Sequence, residues 1–241
     1  MADPSTTPRT NALGQPIGAA LDDWEAPPHP PRTTLHGHYC DVEPLEPDRH
    51  AVELHAANSL SPDDRLWTYL GCGPFESFDD YRGWMLGACL GDDPQFYAIV
   101  EKPTGEPIGV ASYLRITPAV GSIEVGNLCF SSRLSQRPAA TEAMYLLMRN
   151  AFDLGYRRYE WKCDSLNAPS RSAAERLGFV YEGLFRQAIV YKGRNRDTAW
   201  YAIIDQEWPT VSSAFERWLS PENFDDSGTQ RHSLAALRAS G

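Results

Sequence analysis

The chain has 241 residues, 42% of them hydrophobic, with 32 acidic against 22 basic side chains. That apolar content supports a packed domain and excludes wholesale disorder. A formal charge of -10 argues against nucleic acid as the partner, because phosphate contacts need a basic surface.

The five cysteines, Cys40, Cys72, Cys89, Cys129 and Cys163, are scattered and form no CxxC pair. This reads as reduced, cytoplasmic usage and not as a disulfide framework. The first residues carry no apolar signal core, and no run reaches the length of a membrane-spanning helix. The expectation is therefore a cytoplasmic protein with no membrane partner. Residues 1–37 read as an extended arm, with "EAPPHPPR" polyproline-like. Leu13, Ile17, Leu21 and Trp24 suggest that it lies over the domain or over a second subunit of a homodimer. Residues 38–220 read as the main domain, and 221–241 as a loose tail with a short helix at "SLAALR".

In chain order, "HYCDVEPL" alternates like a strand. "EPDRHAVELHAAN" follows as a helix. "SFDDYRGWMLGACL" is a second helix, with Ser77 as N-cap and Tyr81, Trp84, Met85 and Ala88 on one stripe. "QFYAIVEKPTGEPIGVASYLRI" reads as two strands joined at "KPTGEP", and "GSIEVGNLCF" as a third. A long helix starts at Pro138. Its apolar stripe is Ala140, Ala143, Met144, Leu147, Met148 and Ala151, and Gly155 stops it. "YRRYEWKCD" is a strand. Asn167 caps a short helix that ends at Gly178, and two strands turn at "KGRN". "QEWPTVSSAFERWL" ends as a helix. The order β α α β β β α β α β β gives an α/β (α+β) domain with a mixed sheet.

Two junctions stand out. In "FSSRLSQRPAATEA" a strand passes through a loop into a helix, and a helix N-terminus with free N–H groups suits phosphate. Ser135, Gln136, Ala139 and Ala140 are small or polar enough for an anion to approach, and Arg133 and Arg137 add charge. A plain turn with solvent-facing arginines is the alternative. In "NAPSRSAAERLGF" a helix of barely two turns presents Asn167 and Ser170 beside a strand end. The alternative there is an ordinary cap with a solvent-facing serine.

Together these stretches resemble the GCN5-related N-acetyltransferases. The closer likeness is to the branch of the RimJ and RimL protein N-terminal acetyltransferases, in "ATEA" (Ala140 to Ala143) and "GFVYEG" (Gly178 to Gly183). The similarity runs from about Tyr39 to Trp208. It implies a mostly antiparallel central sheet flanked by helices. It implies acetyl-coenzyme A as cosubstrate, no metal, and a primary amine acceptor on a small molecule, an amino acid or a protein N-terminus. The sequence departs from the family's Q/R-x-x-G-x-G/A loop at Ser135 to Ala140, where Pro138 replaces the first glycine and removes a donor.

The resemblance also implies roles. Arg133, Ser135, Gln136, Arg137, Ala139, Ala140 and Thr141 would surround the diphosphate. Asn167 would bond the pantetheine arm, and Ser170 would stand near the thioester sulfur. The strand would splay after Asn127, and the N–H of Leu128 or Cys129, ahead of Phe130, would meet the oxyanion. An ammonium must lose a proton before it attacks. Glu182 is the preferred base and Glu124 the second, with an ion pair such as Glu182 to Arg186 as the structural alternative. His36, His38 and Cys40 alternate on the first strand but lack a fourth zinc ligand. Trp67, Tyr69, Phe75, Tyr81 and Trp84 read as core before they read as an acceptor pocket. A coenzyme-binding module without catalysis, or transfer of a longer acyl group, remain as alternatives.

Overall fold

The computed structural model describes residues 9–240; the first eight residues of the expected arm lie outside it. Strands β1 (Arg9–Thr10) and β2 (Pro16–Ile17) form a small antiparallel pair. The proline-rich stretch after them has few N–H groups to offer, so it is held through its carbonyls. Tyr156 Oη donates to Pro28 O at 3.1 Å, Gln95 Nε2 to Pro30 O at 3.1 Å, and Tyr97 Oη to Pro31 O at 3.5 Å. The arm thus lies on its own domain.

The main sheet has eight strands: β3 (Leu35–His36), β4 (Cys40–Pro44), β5 (Gln95–Glu101), β6 (Pro107–Thr117), β7 (Ser122–Phe130), β8 (Arg158–Asp164), β9 (Val180–Tyr191) and β10 (Arg194–Ile204). Their spatial order is β3-β4-β5-β6-β7-β8-β10-β9. All pairs are antiparallel except β7 with β8, which a helical crossover connects, as parallel neighbours require. The helices are α1 (Pro47–Asn58), α2 (Phe78–Ala88), α3 (Pro138–Asp153), α4 (Ala168–Leu177), α5 (Trp208–Leu219) and α6 (Leu234–Ala239).

Strand alternation builds a core on each face of the sheet. From β5, Phe96, Ala98 and Val100 join Leu54, Tyr81 and Met85 of α1 and α2. Tyr97 and Ile99 face the other way, toward Ala143, Met144 and Leu147 of α3. Most aromatics between 67 and 84 belong to the first core, with Tyr81 1% and Trp67 9% exposed.

The local stop and start signals work as expected. Ser77 caps α2 through Asp80 N–H at 3.1 Å, and Asn167 caps α4 through Ser170 N–H at 3.1 Å. Gly178, at φ 105°, closes α4 in the left-handed conformation that glycine adopts without strain.

Two expectations fail. The first strand starts only at Cys40, because residues 37–39 turn. The Glu142 carboxylate on α3 accepts N–H bonds from His38, Tyr39 and Cys40 at 2.7, 2.6 and 2.9 Å. His36, His38 and Cys40 therefore share no strand face: His36 Nδ1 meets Asp41 at 3.0 Å, His38 rests edge-on against Tyr39, and Cys40 is buried. The tail is not loose either. Leu234 is buried, Trp218 Nε1 donates to Gln230 Oε1 at 2.7 Å, and Arg238 Nη1 donates to the Arg176 carbonyl at 3.1 Å.

Candidate active site

The loop between β7 and α3 folds tightly on itself. Leu134 N–H and Ser135 N–H both reach Ser131 O at 3.0 Å, and Arg137 N–H reaches Leu134 O at 3.2 Å. Gln136 takes φ 62°, a conformation that costs a non-glycine residue energy and occurs often at functional turns. Among the described residues, the main-chain N–H groups of Gln136 and Ala139 have no acceptor. They lie at the positive end of α3. Pro138 occupies N1, where its missing N–H removes no helical bond. Ala140 N–H bonds Arg137 O at 3.1 Å. Two of the expected diphosphate ligands are engaged elsewhere. The Arg133 guanidinium is paired with Glu106 at 2.5 Å and Glu101 at 3.1 Å. Thr141 is buried and accepts from Arg176 Nη1 at 3.1 Å, which ties α3 to α4.

Next comes a fork. β7 pairs with β8 only from Ser122–Arg158 to Val125–Trp161. Beyond that the two strands part, two residues earlier than the sequence suggested. Asn127 takes φ 51° and its Nδ2 bonds Ser112 Oγ at 2.8 Å, at a register shift between β6 and β7. Strand amides alternate sides, so past Val125 those of β7 that face the gap have lost their partner. Leu128, Cys129 and Phe130 line this stretch. Cys129 is buried against Asn58, and burial raises its thiol pKa.

α4 presents Ser170 at the far side of the fork. Trp161 Nε1 donates to Ser170 Oγ at 3.0 Å, so the serine keeps its own proton to give. Asn167 spends Oδ1 on the cap and retains Nδ2 as a donor.

The carboxylates sit on the face that α1 and α2 share, and they are linked. Arg115 Nη1 and Lys162 Nζ both bind Glu124 Oε2, at 2.7 and 2.9 Å. Lys162 also binds Glu160 Oε2 at 2.7 Å, and Arg158 Nε binds Glu160 Oε1 at 2.6 Å. Arg158 then grips Glu182 with two bonds, at 2.8 and 2.5 Å. The partner of Glu182 is thus Arg158 and not Arg186. A register shift in β9–β10 falls between Gly183–Trp200 and Tyr181–Tyr201, making Glu182 the odd residue. The two candidate bases differ accordingly. Arg158 holds the Glu182 carboxyl below its ordinary range. Burial pushes that of Glu124 above it, against the pull of Lys162 and Arg115. Glu124 is 3% exposed, and Oε1 is its one oxygen free of cations. That atom lies 3.7 Å from where a Cβ on Gly126 would stand, at the first residue past the paired segment.

Sequence reading missed Arg115, Arg158, Glu160 and Lys162. The last three were visible as alternate residues of "RYEWKCD". Asp197 and Arg196 serve the hairpin: Asp197 accepts from Gln187 N–H at 2.7 Å, and Arg196 Nε donates to Thr198 Oγ1 at 3.1 Å. Tyr69 departs from the core group. Its Oη donates to Leu166 O at 3.2 Å, while Lys192 Nζ donates to Trp67 O and Arg194 Nη2 to Thr68 O, both at 2.7 Å. The segment 67–69 therefore bridges from α1–α2 to the β8–α4 loop and the hairpin tip. Among the described residues no cluster of His, Cys, Asp and Glu is placed to hold a metal, and no helix is long and apolar enough to cross a membrane.

Residues 42–180 match the model of the acetyltransferase (GNAT) domain. The chain is similar to a GCN5-related N-acetyltransferase from Brucella melitensis, at 45% identity and TM-score 0.89, over 91% of this chain and 100% of that one. It is similar to a probable GNAT-family acetyltransferase from Chromobacterium violaceum, at 38% identity and TM-score 0.76, over 81% and 98%. It shares 26% identity over 164 residues with an uncharacterized N-acetyltransferase, p20, from Bacillus licheniformis, covering 65% of this chain and 92% of that protein.

Proposed function

Because this chain belongs to the GNAT acetyltransferase family, we propose that it moves the acetyl group of acetyl-coenzyme A to a primary amine. The acceptor is a small molecule, an amino acid or a protein N-terminus, the last in keeping with the RimJ/RimL-like motifs. The observation that carries this reading is the fork between β7 and β8. It has unpaired loop amides on one side, Ser170 at its edge and the free Oε1 of Glu124 on the opposite face.

The free N–H groups of Gln136 and Ala139 suit a diphosphate, and Asn167 Nδ2 suits an amide of the pantetheine arm. Glu124 Oε1 takes the ammonium proton, directly or through a water. The amine nitrogen then bonds the acetyl carbon, the carbonyl oxygen becomes an oxyanion facing a gap-side amide near Leu128 or Cys129, and the C–S bond breaks. Ser170, its oxygen already occupied by Trp161, donates its proton to the departing sulfur, and the second proton of the attacking nitrogen, lost as the amide forms, restores the serine hydroxyl, leaving the N-acetyl amide and the free coenzyme thiol. Glu124 replaces Glu182 as the proposed base, since Arg158 occupies both oxygens of Glu182, whereas the two cations on Glu124 share Oε2 and leave Oε1 free to accept a proton.

A primary-amine panel with acetyl-coenzyme A, read by release of free thiol, tests the reading. Thiol release with at least one amine supports it. Thermal stabilisation by acetyl-coenzyme A with no release on any amine would leave a binding module. Ser170→Ala should lower kcat about tenfold, with coenzyme affinity within twofold; a rate equal to the parent returns Ser170 to capping alone.

A further inference from the structure

Lys162 is an ammonium with nowhere to go but protein. Its side chain is 6% exposed. Its three donors face Glu124 Oε2 at 2.9 Å, Glu160 Oε2 at 2.7 Å and the Trp200 ring, whose centroid is 3.6 Å away. Phe185 stacks on Trp200 at 4.4 Å. This is a costly arrangement, and buried ion pairs of this kind are seldom what stabilises a fold. Its location explains it better. Lys162 is the first residue of β8 beyond the last pair with β7, at the base of the fork.

We propose that Lys162 is a positioning residue for acetyl transfer: its ammonium pins Oε2 of Glu124 so that Oε1 faces the fork as the proton acceptor. The proposal rests on the assignment of Glu124 as base. Arg115 on β6 helps from the other side, but half its side chain is in solvent, where screening weakens it. Glu160 competes for the same ammonium and is itself restrained by Arg158, which also holds Glu182. The charged groups around Glu124 are therefore Arg115 from β6, Lys162 and Glu160 from β8, with Arg158 and Glu182 behind them.

This arrangement has a signature that a packing role lacks, namely shifts of opposite sign at two neighbouring positions. Lys162→Met removes a cation from Glu124, so its carboxyl ionises at higher pH. The acid limb of the kcat/KM profile should move up by about one pH unit, and kcat at neutral pH should fall at least about tenfold. Lys162→Arg keeps the charge and should restore most of the limb position. Glu160→Gln removes an anion and frees the ammonium for Glu124, so the limb should move down.

The measurements use the full chain, acetyl-coenzyme A and the best amine of the panel. Carboxyl titration by NMR with 13C-labelled glutamate needs no acceptor, and Glu124→Gln identifies the signal. Opposite shifts in Lys162→Met and Glu160→Gln, in both kinetics and titration, support the proposal. A Glu124 titration unmoved in both variants overturns it, as does a Lys162→Met profile that matches the parent. Should Lys162→Met fail to fold, Lys162→Arg and Glu160→Gln decide by the same criterion. If Glu124→Gln keeps full turnover, the base assignment itself is wrong, whatever Lys162 does to the titration.

Discussion

Glu124→Gln should lower kcat/KM for amine acetylation about 10²- to 10⁴-fold at neutral pH, the usual weight of a general base. The dissociation constant for acetyl-coenzyme A should stay within twofold, because Glu124 faces away from the α3 loop. The substitution keeps size and hydrogen-bonding shape but cannot take a proton. Glu182→Gln offers the contrast: it keeps one of the two bonds to Arg158 at the surface, turns an NH2 toward the other donor, and should cost only a few-fold. The pH profile follows from the same burial. Glu124 must be ionised to act, and desolvation raises its pKa above the ordinary carboxylate range. Activity is thus present on the alkaline side and falls as pH drops through that raised value, earlier than for an exposed glutamate. A Glu124→Gln enzyme within about twofold of the parent would remove this residue from the chemistry.

The parts legible in the sequence were those fixed by near neighbours. Ser77 and Asn167 each cap a helix through an N–H three residues on. Gly155 and Gly178 mark helix ends, and Lys192–Gly193, both at positive φ, turn the last hairpin. The fold followed from these and from the periodicity between them. The site was less legible because its decisive contacts are long-range. Alternation places Arg158, Glu160 and Lys162 on one face, yet nothing local says that Glu124 and Glu182 arrive on either side. Motif position ranked Glu182 ahead of Glu124, and no local pattern shows that a register shift in β9 hands Glu182 to Arg158, the contact on which the proposal of Glu124 turns.

Glu142→Ala should cost about 3–5 kcal/mol of stability, and lower the melting temperature by roughly 10 °C. Glu142 is 4% exposed. Its two oxygens take the main-chain N–H groups of His38, Tyr39 and Cys40. Removing the carboxylate orphans three donors, each worth about 1–3 kcal/mol where water is excluded. Glu142→Gln should fall between, since the amide keeps one acceptor oxygen but turns an NH2 toward the remaining donors. Gly37→Ala attacks the same contact from the other side, for its Cβ would stand 2.5 Å from Glu142 Oε2. The consequence reaches the coenzyme. Glu142 follows Ala139 by less than one helical turn, so the contact that anchors the β3–β4 turn also fixes how the start of α3 is presented. At temperatures where Glu142→Gln remains folded, acetyl-coenzyme A should bind more weakly than to the parent. A melting temperature within 2 °C for Glu142→Ala, roughly what 0.5–1 kcal/mol would produce, would mean that those three amides find other partners and that α3 holds its place without them.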